Sequence, residues 1–243
     1  MSDVMLYKVL GDDGFPYHGG SGKWDLPQGK RPGKWMPAVE GKIALCSNGY
    51  HLTPAGGLLE WLGPRFYEAE GRGDEDKSAS KIAYREARLL RRVETWNDMN
   101  ARLFAADCAA RALKLWRERY QAKRASTDVD PRAIAAVIAA RQHAHGKIDA
   151  AARSAAWSAA WSAAESAAES AAESAAWSAA ESAAESAARS AAWSAAWSAA
   201  ESAAWSAAWS AAWSAEKKWQ LDRLMQYLRG KEPTPVPLPE ITK

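Results

Sequence analysis

Two spacings of apolar residues divide this chain. Near the start, apolar and polar residues alternate in short runs bounded by glycine-rich turns, the signature of half-buried strands. Met5-Leu6-Tyr7-Lys8-Val9-Leu10 predicts a first strand, and Lys42-Ile43-Ala44-Leu45-Cys46 a second. Ser47-Asn48-Gly49 reads as a turn, Tyr50-His51-Leu52-Thr53 resumes the strand, and Arg65 to Glu70 is a third. Between them, Thr53 as cap and Pro54 at the first helical position predict a short helix over Ala55 to Leu62. Gly71 to Asp76 reads as a loop.

From Lys77 the spacing turns helical. Ile82, Leu89, Leu90, Val93 and Trp96 make one helical face, and Asn97 is placed to cap the next helix. Met99, Leu103, Ala106, Ala110, Leu113 and Tyr120 line one side of that helix. Asp130 and Pro131 open a third, with Ile134, Val137 and Ile138 following. Leu221, Leu224, Met225 and Leu228 form a late stripe, and Glu232 to Pro239 reads as a disordered or extended, polyproline-type tail.

Between these segments, Ala151 to Ser214 is Ala-Ala-X-Ser written sixteen times, with X only Trp, Glu or Arg. Alanine favours helix, and neither Gly nor Pro falls between Lys147 and Arg229. A straight helix of that length spans roughly 125 Å. Each repeat advances X by about 40°, so no fixed seam forms, and nine repeats restore the angle. Trp157, Trp161, Trp193 and Trp197 then make one stripe, and Trp177, Trp205, Trp209 and Trp213 a second. Exposed stripes of this kind are rarely tolerated, so a protein partner, self-association or a bend of the tract is expected to cover them.

These readings define an expected fold class: a small α+β N-terminal domain followed by mainly α structure, with a long alanine-rich repeat helix or helical hairpin. The expected divisions are 1–76, a helical segment at 77–146, the repeat helix at 147–229 and the tail at 230–243.

Charge changes the picture locally. The net charge of the 243 residues is +3, yet Lys77 to Arg124 is strongly basic and the repeat acidic. Arg85, Arg88, Arg91 and Arg92 would lie along one side of a helix. Docking on the acidic repeat is favoured over nucleic-acid backbone contact, because no reading motif accompanies the charge. Cys46 and Cys108 give no disulfide framework. The start of the chain reads as no secretory signal, and no apolar run reaches membrane-spanning length, so a cytoplasmic protein with no membrane contact is expected.

Residues 5–76, through Cys46-Ser47-Asn48-Gly49-Tyr50-His51 and Arg65-Phe66-Tyr67-Glu68-Ala69-Glu70, resemble a small uncharacterised domain of phage and bacterial genomes. Residues 101–160 resemble alanine-rich helical proteins described as immunity proteins, through Phe104 to Cys108, Pro131 to Ile134, Ala139 to Arg141 and His145 to Ile148. Both imply a phage, prophage or actinobacterial source, and neither implies an established activity. The run from Gly49 to Thr53, with Leu58, Leu59, Trp61 and Phe66, is also similar to the centre of ADP-ribosyltransferase-like domains. That similarity implies Glu68 or Glu70 as the catalytic carboxylate, with His18 or His51 approaching a dinucleotide. The first strand, however, lacks the His or Arg that such domains carry at its end.

Metal spacing is absent around Cys46, His51, His143 and His145, and no cofactor is assigned. The expected function is therefore structural or interaction-based, with the small domain as the recognition end of a helical scaffold. A phage effector or counter-defence protein with a transferase-like domain is the alternative.

Overall fold

The computed structural model describes residues 5–121, 131–149, 151, 152, 155, 214–231 and 233–239. Four antiparallel strands close into a barrel in the order β1-β2-β4-β3. They are β1 (Leu6–Leu10), β2 (Tyr50–Pro54), β3 (Arg65–Lys77) and β4 (Ile82–Arg92). β1 closes the ring. It pairs with β3 from Leu6↔Ala69 to Leu10↔Arg65, and with β2 at Leu6↔Pro54 and Tyr7↔Thr53. Leu6 and Leu10 share a core with Trp24, Met36, Leu52, Tyr67, Ala69, Ala87 and Leu89.

The expected fold class is corrected over 65–92. β3 runs through the predicted loop at Gly71 to Asp76, and β4 stands where a helix was predicted from Lys77 to Trp96. Two features favour the strand. Ala83, Ala87 and Leu89 fall on one phase of a two-residue alternation, and all three are buried. The charges also match across the ladder. Glu68 opposes Arg91, Glu70 opposes Arg88 and Arg72 opposes Glu86, and each of these pairs forms a salt bridge. The basic run is therefore one side of a cross-strand ladder, not a helix face turned to the repeat.

The hairpin is irregular where glycine permits it. Register shifts occur between Glu68 and Ala69 and between Arg72 and Glu75, and Gly73 in the second adopts φ 80°. At Gly71 the constraint is space, because a Cβ there would lie 2.2 Å from the Tyr84 ring. An extended segment, residues 33–39, lies along β4 through Gly33 N–H to Leu89 O, Met36 N–H to Ala87 O and Val39 N–H to Arg85 O. Its Trp35 ring sits under the guanidinium groups of Arg72 and Arg88, at 4.1 and 4.6 Å.

Smaller corrections follow from local hydrogen bonding. Lys42 to Cys46 forms no strand beyond an isolated Ala44↔Asn48 bridge. The short helix is a 3-10 turn, Ala55–Glu60, and Thr53 does not cap it. The Thr53 hydroxyl donates instead to Ser80 O at 2.7 Å.

The chain divides into two compact units, Met1–Phe104 with Gln220–Thr234, and Ala105–Trp219 with Pro235–Lys243. The first holds the barrel and the later part of α3, a helix over 214–228. There Phe66, Trp96, Phe104 and Tyr227 form a run of ring contacts, and the Thr95 hydroxyl donates to Leu228 O at 2.6 Å. The second unit takes most of α1 (Asp98–Gln121) and all of α2 (Pro131–Ala144), with Ala106, Ala110, Val137 and Val236 in its core. Asp107, 2% exposed, accepts hydrogen bonds from Arg141 at 3.0 Å and from Val236 N–H at 3.3 Å. Residues 233–239 of the proline-rich tail form no regular element and are tied down at Val236.

At 24 residues, α1 is the longest helix among the described residues, and no long alanine-rich helix is among them. The expected repeat helix is corrected on that finding. Trp157, Trp161, Trp177, Trp193, Trp197, Trp205, Trp209 and Trp213 lie outside the described residues. None of the described helices is long and apolar enough to cross a membrane.

Replacing Gly71 with Ala should displace the Tyr84 ring and lower stability by about 1–3 kcal/mol, as overpacking does. Urea denaturation of the purified protein measures this; an unchanged midpoint would mean that the contact yields freely.

Candidate functional site

Alternation along β1 turns Leu6, Lys8 and Leu10 to the same side, and the two leucines belong to the barrel core. A lysine therefore occupies an inward position. Its Nζ lies 5.0 Å from the centroid of the Trp24 ring and donates to the His51 carbonyl at 3.1 Å. Burial is the cause that pushes the amine down to about 8. Arg65, Arg72, Arg85, Arg88 and Arg91 each have a carboxylate partner, whereas among the described residues no carboxylate pairs with Lys8.

Lys8 borders a cleft of about 500 Å³ at one end of β1 and β2. The loop at Pro16 to Gly20, the turn at Cys46 to Gly49, Trp61 and Lys81 complete its lining. The turn is held from several directions. Leu45 N–H donates to Asp76 Oδ2 at 2.9 Å, and the Asn48 amide donates to Glu40 O and Lys42 O. Cys46 adopts φ 65°, and it alone among the described non-glycine residues has a positive φ.

That strained position aims two bonds. Cys46 N–H donates to His51 Nε2 at 2.9 Å, and Lys81 Nζ lies 2.8 Å from Cys46 Sγ. With Nε2 accepting, the neutral His51 ring carries its proton on Nδ1. Burial, then the charges of Lys8 and Lys81, lower the His51 pKa against an opposing hydrogen bond to the Gly49 backbone. On the opposite lip, His18 Nε2 donates to Leu62 O at 2.8 Å, and its ring packs edge-on against Trp61 and Tyr17. Lys81 Nζ lies over the other aromatic surface available there, 5.0 Å from the Trp61 centroid. The Trp61 indole N–H is buried and has no hydrogen-bond partner among the described residues.

The structure brings His18, Cys46 and His51 to one cleft, and places Glu68 and Glu70 elsewhere. Both carboxylates alternate with the core residues Tyr67 and Ala69, so they face outward from β3, bonded to Arg91 and Arg88. Glu68 borders a second depression, with Arg91, Met225 and Leu228. His143 Nδ1 lies 3.1 Å from Ile148 O at the end of α2, and His145 is exposed. No three His, Cys, Asp or Glu side chains among the described residues are grouped to hold a metal ion. Sequence reasoning singled out the Cys46 to His51 turn, and His18 and Trp61 through a resemblance, but passed over Lys8 and Lys81. The available signal for Lys8 was its place between Leu6 and Leu10.

The lining chemistry is that of a binding site for negative charge: two lysines, two imidazoles and an aromatic face, with no acidic side chain among the lining residues. Comparison with known proteins finds no matching family model, and no curated protein or solved structure that matches the chain.

A half-buried lysine with no carboxylate partner among the described residues makes stability depend on pH. The amine loses its proton near 8 in the fold and near 10.5 when unfolded, so between those values the unfolded chain binds more protons and stability rises with pH. Lys8→Met should be more stable than the wild type at pH 7. The gap should close by up to roughly 3 kcal/mol as the pH rises through that window. Urea denaturation at pH 7, 8, 9 and 10 gives the comparison; parallel profiles would show that the amine is not buried in the charged state.

Proposed function

We propose that this is an interaction protein whose barrel is its recognition unit, and that the cleft takes an anionic group. The carrying observation is that Lys8, His18, His51 and Lys81 converge on one concavity with no acidic residue lining it. Lysine ammonium groups in a concave surface without opposing carboxylates concentrate counter-charges more strongly than they would on a flat one, and the imidazoles add polar contacts. Trp61 and His18 add flat faces for an aromatic or planar part of the ligand. A volume of about 500 Å³ suits a small molecule or one charged side chain of a partner. Binding is preferred to transferase chemistry because Glu68 and Glu70 are engaged on the outer face of β3, away from the histidines.

The phage- or prophage-encoded origin belongs to this reading, as does a cytoplasmic setting. Cys46 and Cys108 are not joined in a disulfide, which fits a reducing compartment. The eight repeat tryptophans are the proposed contact with a protein partner or with a second copy of the chain. Sedimentation velocity of the full chain should show self-association that Trp→Ser replacement of all eight abolishes. A monomer at every concentration removes self-association from the reading.

Inorganic phosphate and acetate are the simplest probes of the cleft. Titrated at low ionic strength, they should shift the amide resonances of Cys46 to Gly49 saturably, together with the indole N–H of Trp61. Lys81→Ala should weaken phosphate binding by about tenfold, the loss of one charge-assisted contact. No saturable shift at any of these groups would refute the anion-binding reading.

A further inference from the structure

We infer that the Lys8 amine condenses with the carbonyl of a small aldehyde that carries a phosphate or carboxylate, forming an imine inside the cleft. The inference rests on the anion-binding reading for the ligand's charged end, and on the placement of Lys8 for its carbonyl end. Lys8 is fixed by β1, which is hydrogen-bonded on both edges, so its stem cannot leave the barrel face that holds Leu6 and Leu10. Among the described residues its Nζ has one hydrogen bond, to His51 O, and it stands against the Trp24 ring. Lysine carries three N–H donors when charged, so loss of one proton leaves both that bond and a free lone pair.

The surroundings raise the neutral fraction of the amine above that of an ordinary lysine. Burial disfavours the charge, and the ionisable groups that share the cleft are Tyr7, His18, Cys46, His51 and Lys81, none of them a carboxylate. On the strand paired across from it, Lys8 faces Tyr67. A pKa of about 8 leaves a far larger neutral fraction at pH 7 than an ordinary lysine has, and the neutral amine is the nucleophile. Lys81 differs in its contacts. Its Nζ lies against Cys46 Sγ and over the Trp61 ring at the rim, which suits it to hold the ligand's anionic end.

The step balances without an oxidant or reductant. The Nζ lone pair attacks the carbonyl carbon, and the carbonyl oxygen takes up a proton to give a carbinolamine. Loss of the second N–H proton and departure of the hydroxyl as water leave the C=N bond. Water is the sole by-product, and hydrolysis reverses the step.

The test traps the imine on the full-length protein. Pyridoxal 5′-phosphate, glyoxylate and pyridoxal serve as probes, each followed by borohydride reduction and peptide mapping by mass spectrometry. The first two should label Lys8 at least about tenfold faster than the mean of the other lysines, and pyridoxal, which lacks the phosphate, about tenfold more slowly than its phosphate ester. Lys8→Arg should lose this label while retaining the wild-type circular dichroism spectrum; Lys81→Arg should keep it. Labelling spread evenly over the lysines, or confined to Lys81, overturns the inference. Lys8 labelled equally by pyridoxal and its phosphate ester overturns the anionic-ligand reading and leaves the imine chemistry of Lys8 standing, so the two failures are distinguishable.

Discussion

Everything in the barrel depends on β1 being bonded along both edges. It is five residues long, pairs with β3 over its whole length, and meets β2 near its start. Closure removes the free strand edges, and it also fixes which side chains point inward. Leu6 and Leu10 suit that position; Lys8 between them does not. A side chain with a charged end must run along the interior and discharge its polar tip where the wall ends. The His51 carbonyl and the open cleft stand at that end. The cleft is thus the solvent-facing consequence of a lysine that the pairing of β1 does not allow to turn outward.

The rest of the unit supports the same end of the barrel. The turn from Cys46 to Gly49 is held by Asp76, by Asn48 and by the His51 ring, which keeps a left-handed cysteine in place above Lys81. Such strain persists where the neighbours over-determine it, and here they do. On the outer surface of β3 and β4 the charges are spent on one another. Glu68, Glu70 and Glu86 neutralise Arg91, Arg88 and Arg72, so this part of the ladder is a structural element with little charge to offer a partner. Charge on the barrel is therefore sorted: paired along the outer ladder and unbalanced in the cleft.

Much of this was legible in the sequence, and the failures have physical causes. The strands at Leu6, Tyr50 and Arg65 follow from alternation and turn residues, and α1 and α2 from spacing and from Pro131. Ile82 to Arg92 misled because Ala, Leu, Arg and Glu favour helix, while the partner that overrides propensity, β3, is identifiable only once its charges are set opposite. Glu68 and Glu70 looked catalytic by position in a similar motif, and pairing to Arg91 and Arg88 gives them another task. Of the cleft, the residues of one turn were found, and His18 and Trp61 were named through a resemblance. Lys8 and Lys81 arrive from distant points in the chain, and nothing in linear spacing brings them together.

The central claim is that the Lys8 amine is held in the barrel wall with no counter-ion among the described residues. Nuclear magnetic resonance of the protein carrying ¹³C-labelled lysine reads this directly through the ε-methylene shift of each residue against pH, with Lys8→Arg to assign the signal. The account predicts that one ε-methylene, absent in the variant, titrates near 8. Titration of that signal near 10.5, the ordinary value for a lysine, would contradict it.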